Sequence, residues 1–466
     1  MFERYKVIHF VGIGGIGMSG IAEVLHNLGY EVTGSDIRET ETTNRLIALG
    51  IKIYIGHNAD NIDDAHVVVI SSAVPEENPE VVEAKRRSIP VIRRAEMLAE
   101  LARLKYSILV AGAHGKTTTT SLISAILAHA GFDPTVIIGG KLKATGSNAR
   151  LGQGEFLVAE ADESDGSFLK LSPTIAIATN IDREHMDFFK TMEAMKEAFI
   201  SFLNKIPFYG VSIVCMENEY LRELLTSLHR RYITYGFGSE SEIYARNIQK
   251  GFMSINFEVV YKGKVMGRFN LPLVGEHNVL NCLAAIGVAL ELQIDLMSIK
   301  EALKNFGGIQ RRFEFKGEAK GIKIFDDYGH HPTEIKAILK AAKEGLFNNG
   351  DNRLFVLFQP HRYTRTKDLL YEFSSSFKDA DTLILLDIYA AGEKPIEGIN
   401  SAVLFERIKK SGHCKAVYIS DKEEVIRHII SQIRKGDMLL TLGAGDVWKL
   451  GEEILQRLNT QQTREI

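Results

Sequence analysis

The sequence is poor in cysteine, tryptophan and proline, with 3, 1 and 10 of them in 466 residues. Cys215, Cys282 and Cys414 lie far apart and form neither a disulfide framework nor a metal-ligand spacing. That excludes a cystine-stapled or zinc-ribbon scaffold and suits a reducing, cytoplasmic setting. No run of about 18 apolar residues occurs, so no membrane-spanning helix is expected. The opening MFERYKVIHFVG has no apolar stretch leading to a small-residue cleavage site. An excess of one charge is missing as well: 56 Lys plus Arg against 59 Asp plus Glu leave −3, without long blocks. General affinity for nucleic acid or an anionic membrane is thereby excluded, and basic residues are expected to act locally. Repeats at solenoid spacing and low-complexity segments are also absent.

What is present is length and alternation. The chain exceeds the roughly 250 to 300 residues at which single cores stop growing, so about three domains are expected. Short β-branched runs alternate with amphipathic stretches almost throughout, the pattern of parallel sheets covered by helices. The first cycle reads KVIHFVG, a glycine turn, a helix from about Ser19 to Leu28, then EVTGS, with further strands at IKIYI and HVVVI. A helix around Ala95 to Leu104 closes it, and YSILVAGAHGKT opens a second unit. The alternating FMSINFEVVYKGKVMGRFNLP, centred on Lys262-Gly263-Lys264, predicts a local antiparallel hairpin. The stretch FGGIQRRFEF marks a second boundary, beyond which GIKIFD, RLFVLF, TLILLD, KAVYI and DMLLTLG read as strands. The expected domains are 1–104, 105–308 and 309–466.

Gly12, Gly14 and Gly17 form G-x-G-x-x-G between a strand and a helix, and Asp36 ends the next strand. This spacing suits a nucleotide diphosphate, a nicotinamide or flavin cofactor, or a purely structural turn. AGAHGKTTTT is more specific: Lys116 can neutralise β- and γ-phosphates and Thr117 can ligate a divalent cation, although the loop is shorter than the usual phosphate loop. AEADESDGS places Glu160, Asp162, Glu163 and Asp165 after an apolar strand, and Glu160, on the strand end itself, is the expected cation ligand. TNIDREHMDFF adds Asn180, Asp182, His185 and Asp187; His185 reads either as a ligand or as a core histidine. FDDYGHHPTE and QPHRYTRT bring Asp326, Asp327, Tyr328, His330, His331, His361, Arg362 and Arg365 to strand ends, where arginines can capture a carboxylate.

Taken together, HFVGIGGIGMSGIA, GKTTTT, GSNARLG, AEADESD, TNIDREHMD, GEHNVLN, RRFE, DDYGHHPTE and QPHRYTRT resemble the Mur ligases over essentially the whole chain. The resemblance implies a three-domain α/β protein: an N-terminal Rossmann-like nucleotide-binding domain, a central P-loop-type ATPase and a C-terminal Rossmann-like domain. It implies ATP-dependent joining of L-alanine to the lactyl carboxylate of UDP-N-acetylmuramate through an acyl phosphate, with magnesium, or manganese in its place, and ATP as co-substrate. No nucleic acid or membrane partner is implied, and the assembly is a monomer or homodimer. Gly14, Gly15, Ile16, Gly17, Asp36, Ser71 and Ser72, with Ser147, Asn148 and Arg150, would receive the UDP-linked substrate. Gly112, Ala113, His114, Gly115, Lys116, Thr117 and Thr118, with His277, Asn278, Asn281 and Asp327, would bind ATP. Thr117, Glu160 and His185 would hold the metal; Tyr328, His330, Arg362 and Arg365 would receive the amino acid; Lys116, His185 and His330 would carry catalysis. Ala113 stands where the family commonly has threonine.

Overall fold

A computed structural model describes residues 6–71, 73–139, 149–251, 253–346, 352–412 and 415–464, without the side chains of residues 16, 187, 345–346 and 461–464. Ser72, Ser147, Asn148 and Cys414 lie outside the described residues.

The first sheet comprises β1 (Val7–Val11), β2 (Glu31–Asp36), β3 (Lys52–Ile55), β4 (Val67–Ile70) and β5 (Val91–Arg93), all parallel, in the order β3-β2-β1-β4-β5. The order reverses beside β1, which opens a crevice at its carboxyl end. The helix after β1 runs Ile16–Asn27, beginning three residues before the expected Ser19. Gly17 therefore lies inside the first helical turn rather than in the loop.

The second sheet has ten strands: β6 (Tyr106–Ala111), β7 (Thr135–Ile137), β8 (Ala149–Arg150), β9 (Phe156–Glu160), β10 (Ile175–Ala178), β11 (Val211–Cys215), β12 (Tyr232–Gly236), β13 (Ile243–Gly251), β14 (Ser254–Tyr261) and β15 (Lys264–Leu271). Their order is β15-β14-β13-β12-β11-β10-β6-β9-β7-β8. β6 is central, with β10 and β9 parallel on either side, and its last five residues are buried, as expected for a strand covered on both faces. The predicted hairpin is present: Lys262 and Gly263, at φ 48° and 76°, form the two-residue turn between β14 and β15. It is not a separate insertion, however. β13, starting at Ile243, joins it to β12, so the hairpin extends the main sheet.

The third sheet holds β16 (Glu314–Ala319), β17 (Ile322–Asp327), β18 (Leu354–Phe358), β19 (Thr382–Leu385), β20 (Ala416–Tyr418) and β21 (Met438–Leu442), in the order β16-β17-β21-β18-β19-β20. Its five predicted strands are all there, and β16 is an added antiparallel edge that starts at the end of the stretch read as a boundary. Side-chain alternation builds two apolar layers on this sheet. Phe325, Val356 and Leu440 face one, and their chain neighbours Ile324, Phe355 and Leu439 the other.

By compactness the chain forms two units, one of Met1–Ile248, Phe257–Leu271 and Asn278–Gly307, the other of Gln249–Asn256, Pro272–His277 and Gly308–Ile466.

Candidate active site

In the first unit, the turn after β1 is built on the end of β2. Gly12 N and Ile13 N both donate to Ser35 O (2.8 and 3.0 Å), and Gly14 N donates to Asp36 Oδ2 (2.9 Å). Asp36, expected at the UDP-linked substrate, thus spends one oxygen on the loop itself. Gly15 caps the helix Ile16–Asn27 with no side-chain hydrogen bond and no acid in its first turn, so the amino end suits an anion. Ser71, at the end of β4, lies beside Gly12: a Cβ there would sit 3.9 Å from its Oγ. Arg150 ends β8, exposed and paired with Asp133.

Beneath that turn lies a buried carboxylate absent from the sequence expectation. Glu80 Oε2 accepts from Ser35 Oγ (2.6 Å) and faces His57 Nδ1 at 3.3 Å, while Oε1 accepts from Asn61 Nδ2 (2.5 Å). Burial resists the charge, but the His9 imidazole, its Nε2 3.7 Å away, and hydrogen bonds from Ser35 and Asn61 hold the Glu80 carboxyl below the ordinary glutamate value.

The turn after β6 carries the lysine. Gly112 and Gly115 adopt φ 135° and 82°, which glycine alone tolerates readily, and a Cβ at Gly112 would meet Thr179 Oγ1 at 2.1 Å. β10 braces the loop: Asn180 Oδ1 accepts from His114 N (2.8 Å), and Thr179 Oγ1 and Asn180 Nδ2 donate to His114 O (2.6 and 2.9 Å). His114 Nε2 lies 2.9 Å from Asp182 Oδ2. Ala113 contributes its backbone N–H, to Asn180 O at 3.3 Å. Lys116 opens the helix Lys116–His129 and bonds Gly112 O (2.6 Å) and both Glu163 oxygens (2.8 and 3.0 Å). Burial opposes the charge on Lys116, and Glu163 together with Asp162 and Glu160 more than offsets it, so its pKa stands above the ordinary lysine value.

The acidic run therefore divides its work. Glu163, 2% exposed, pairs with Lys116, whereas Glu160, half-buried at the end of β9, accepts from Gly139 N (2.6 Å). His185 sits in the left-handed region at φ 56°, and its Nε2 lies 3.9 Å from Glu163 Oε1. Thr117 and Thr118 are buried in the first helical turn. Asn281 packs behind the loop: it accepts from Thr119 Oγ1 (3.3 Å), donates to Asn278 Oδ1 (3.1 Å), and a Cβ at Gly115 would meet it at 2.4 Å.

In the second unit, His277 lies beside Gly275. Asp327, at the end of β17, is buried and accepts from Phe313 N and Gly329 N, both at 2.7 Å. Burial pushes it up to about 6, against the pull of Arg312. The rings of Tyr328 and His330 meet edge-on at 5.4 Å, and His330 lies 5.7 Å from His361, which stacks on Tyr389. Arg365 donates to His361 Nδ1 (3.2 Å). Burial, then His330, Arg365 and Arg362, push His361 down to about 3, so the ring is a neutral acceptor among cations. Arg362, at φ 71°, precedes the helix Tyr363–Asp368 that carries Arg365. Arg311 spans the strand ends, bonding Asp326 Oδ2 (2.9 Å), Gly443 O (2.6 Å) and Gly445 O (3.1 Å), with its guanidinium over Tyr328.

The structure thus groups Lys116 with His185 and the acidic run, places Asn281 behind that loop, and groups Tyr328, His330 and Arg365 in the other unit. Glu80, Glu163 as partner of Lys116, Asn180 and His361 were missed as site residues. Glu163 and His361 stood in motifs already noted; Glu80 sits in no motif.

Comparison with known proteins gives three family matches along the chain. Residues 7–106 match the Mur ligase family catalytic domain, 110–289 the Mur ligase middle domain, and 311–445 the Mur ligase glutamate ligase domain. A UDP-N-acetylmuramate–L-alanine ligase of Geotalea uraniireducens is 54% identical over 458 residues, covering 98% of this chain and 99% of the relative. One of Geobacter sp. strain M21 is 55% identical at the same coverage. Among solved structures, the UDP-N-acetylmuramate–alanine ligase of Thermotoga maritima matches with TM-score 0.83 at 30% identity over 97% of this chain and 99% of that one. A murein peptide ligase of Psychrobacter arcticus matches with TM-score 0.71 at 25% identity over 97% and 98%.

Proposed function

The chain belongs to the Mur ligase family, and from that premise we propose that it joins L-alanine to the lactyl carboxylate of UDP-N-acetylmuramate at the expense of ATP, a step of peptidoglycan precursor synthesis. The observation that carries the reading is the meeting, at the ends of β6, β9 and β10, of Lys116, the acids at 160–163 and His185. It is supported by full-length relatives at 54–55% identity that bear that activity in their names.

A carboxylate is a poor acyl donor until one oxygen is phosphorylated. In the proposed reaction the lactyl carboxylate attacks the γ-phosphorus of ATP, the bond to the bridging oxygen breaks, and ADP leaves. Lys116, charged and aimed into its own loop, offsets the charge on the transferring group. The neutral amine of alanine then attacks the acyl carbon, and phosphate leaves as the amide forms. Arg362 and Arg365 hold the alanine carboxylate, with Tyr328 and His330 beside it. The main contribution of the protein is alignment and charge stabilisation.

A divalent cation fits the residues present. Lys116 already has a matching carboxylate in Glu163, so the polyphosphate needs further positive charge, and hydroxyl, carboxylate and imidazole donors stand at the loop. Thr117, Glu160 and His185 would hold magnesium, or manganese, which when bound neutralises and orients phosphate oxygens. The glycine turn at 12–17, with Asp36 and Ser71, receives the UDP moiety, and Ser147, Asn148 and Arg150 the muramyl part. Asn278 and Asn281 support the adenine side, His277 belongs to the same nucleotide, and Asp327 braces the backbone near the ribose. We take the domain limits as 1–104, 105–308 and 309–466, the setting as cytoplasmic, and the protein as a monomer or homodimer. No helix among the described residues is long and apolar enough to cross a membrane.

The similar Psychrobacter arcticus protein is named a murein peptide ligase, so a peptide acceptor is the second reading. Packing of His330, His361 and Tyr389 around the arginines favours a small amino acid. The test is phosphate release by purified protein with magnesium, ATP and UDP-N-acetylmuramate. Release that requires L-alanine is expected; release only with murein tripeptide moves the assignment to a peptide ligase, and none with either acceptor overturns it.

A further inference from the structure

The third glycine of the first motif has an unusual neighbour. Gly17 lies in the first turn of the helix Ile16–Asn27, and a Cβ there would come within 2.9 Å of Arg94 Nη1 and 3.1 Å of its Cδ. The missing side chain at 17 is replaced in space by the arginine. Arg94 opens the helix Arg94–Arg103, and its Nη2 donates to Asp162 Oδ2 at 3.0 Å. Asp162 belongs to the acidic run of the ATP loop, one residue before Glu163, the partner of Lys116, and two after Glu160. One guanidinium, about a quarter exposed, thus lies against the helix end that follows the first turn and also holds the acidic run of the second.

The contact is built rather than incidental. Asp162 Oδ1 accepts from Ser164 N (3.0 Å) and its carbonyl from Phe168 N (3.2 Å), so its carboxylate is fixed by the turn that follows. A second pair, Lys170 Nζ to Glu96 Oε1 at 2.7 Å, ties the same turn to the same helix. An anion on the amino end of the helix Ile16–Asn27 would lie beside the Arg94 guanidinium, and removing Arg94 would take from Asp162 its direct ion pair, leaving only Lys116 and Ser164 to hold that charge.

We propose that Arg94 is a positioning residue shared by the two loops, holding the acidic run in register with the glycine turn so that the UDP-linked substrate and ATP bind interdependently. This rests on the reading of the chain as a ligase using both substrates. The experiment is calorimetric titration of UDP-N-acetylmuramate into the full-length protein, with and without a non-hydrolysable ATP analogue and magnesium, for wild type, Arg94→Ala, Arg94→Lys and Asp162→Asn. In wild type the analogue is expected to tighten binding at least about fivefold, and in Arg94→Ala and Asp162→Asn the two dissociation constants should agree within about twofold. Arg94→Lys should keep an intermediate coupling. In steady state Arg94→Ala should raise both KM values about tenfold with kcat within about threefold. Combining Arg94→Ala with Asp162→Asn should be no worse than either single change.

Uncoupled binding in wild type, full coupling in Arg94→Ala, or a change confined to thermal stability would each overturn the proposal. Arg94→Lys and Asp162→Asn keep it testable should Arg94→Ala fold poorly. Failure of the ligase reading itself shows separately, as wild-type protein that releases no phosphate with L-alanine.

Discussion

The turn after β1 and the turn after β6 share a backbone plan, a parallel central strand leading through glycines into a helix, yet they are finished differently. In the first, the neighbouring strand end supplies acceptors: Ser35 O and Asp36 Oδ2 take the N–H groups of Gly12, Ile13 and Gly14, and Glu80 stands behind Ser35. In the second, neighbouring strand ends supply both a brace, Thr179 with Asn180, and a counter-charge, Glu163 for Lys116. The first turn is a pre-set cradle whose nearby cation, Arg94, comes from another helix, and it is suited to holding a diphosphate still. The second carries a largely buried cation suited to charge that moves. On the proposed reading the same local fold serves binding in one place and chemistry in the other, and what the adjoining strands deliver decides which.

The sharpest way to break this comparison is to remove the cation. Lys116→Met should lower alanine-dependent phosphate release about a thousandfold. It also leaves Glu163, 2% exposed, without its partner, which should cost about 3–5 kcal/mol of stability. Adding Glu163→Gln should recover most of that stability and none of the turnover. Recovery of both would mean that Lys116 is only structural. No side chain in the first turn should show a comparable effect on kcat.

A smaller effect should come from the glycines. Gly112→Ala forces a Cβ into Thr179 Oγ1 at φ 135°, whereas a Cβ on Gly15, at φ −61°, meets nothing nearer than 3.4 Å. Displacing the phosphate loop by a fraction of an ångström should reduce turnover about a hundredfold. Gly15→Ala should fold with nearly unchanged melting temperature and raise mainly the KM for the UDP-linked substrate. Equal losses in both variants would remove the distinction between a braced loop and an open cradle.

These contrasts were only half legible in the sequence. Both turns, the lysine, and the five parallel strands of the third sheet were readable, because period and glycine punctuation are local signals. β13 and β16 were not: each lies near a sheet edge, and their mixed burial gives neither a clean alternation nor an apolar run. Nor does sequence spacing tell that Asn281 stands behind Gly115, or that Arg94 fills the space beside Gly17, since both depend on how distant elements pack. Within AEADESD, position on the strand favoured Glu160. The chain turns after Glu160, and it is Glu163 that is brought back to Lys116.

The subtlest test separates Glu80 from Lys116 by pH. Glu80 is fully buried and held below the ordinary glutamate value of 4.5, so its contribution to stability is present above about pH 4.5 and is lost as pH falls through its lower folded-state value. Lys116 is raised instead: its contribution is fully present below the ordinary lysine value of 10.5 and is lost only as pH rises through the folded-state value. Glu80→Gln keeps the shape but loses the charge-assisted bonds to Ser35 and Asn61, and should cost about 1–3 kcal/mol at pH 7. Measured by chemical denaturation across pH 3 to 7, the gap between wild type and Glu80→Gln should narrow towards the acid end. The KM for UDP-N-acetylmuramate at pH 7 should rise severalfold while the KM for ATP stays put, because Glu80 reaches the first turn through Ser35 and does not touch the second. A gap that stays constant down to pH 3 would show that the Glu80 charge does not contribute, and an equal rise in both KM values would show that the two turns are not independently built.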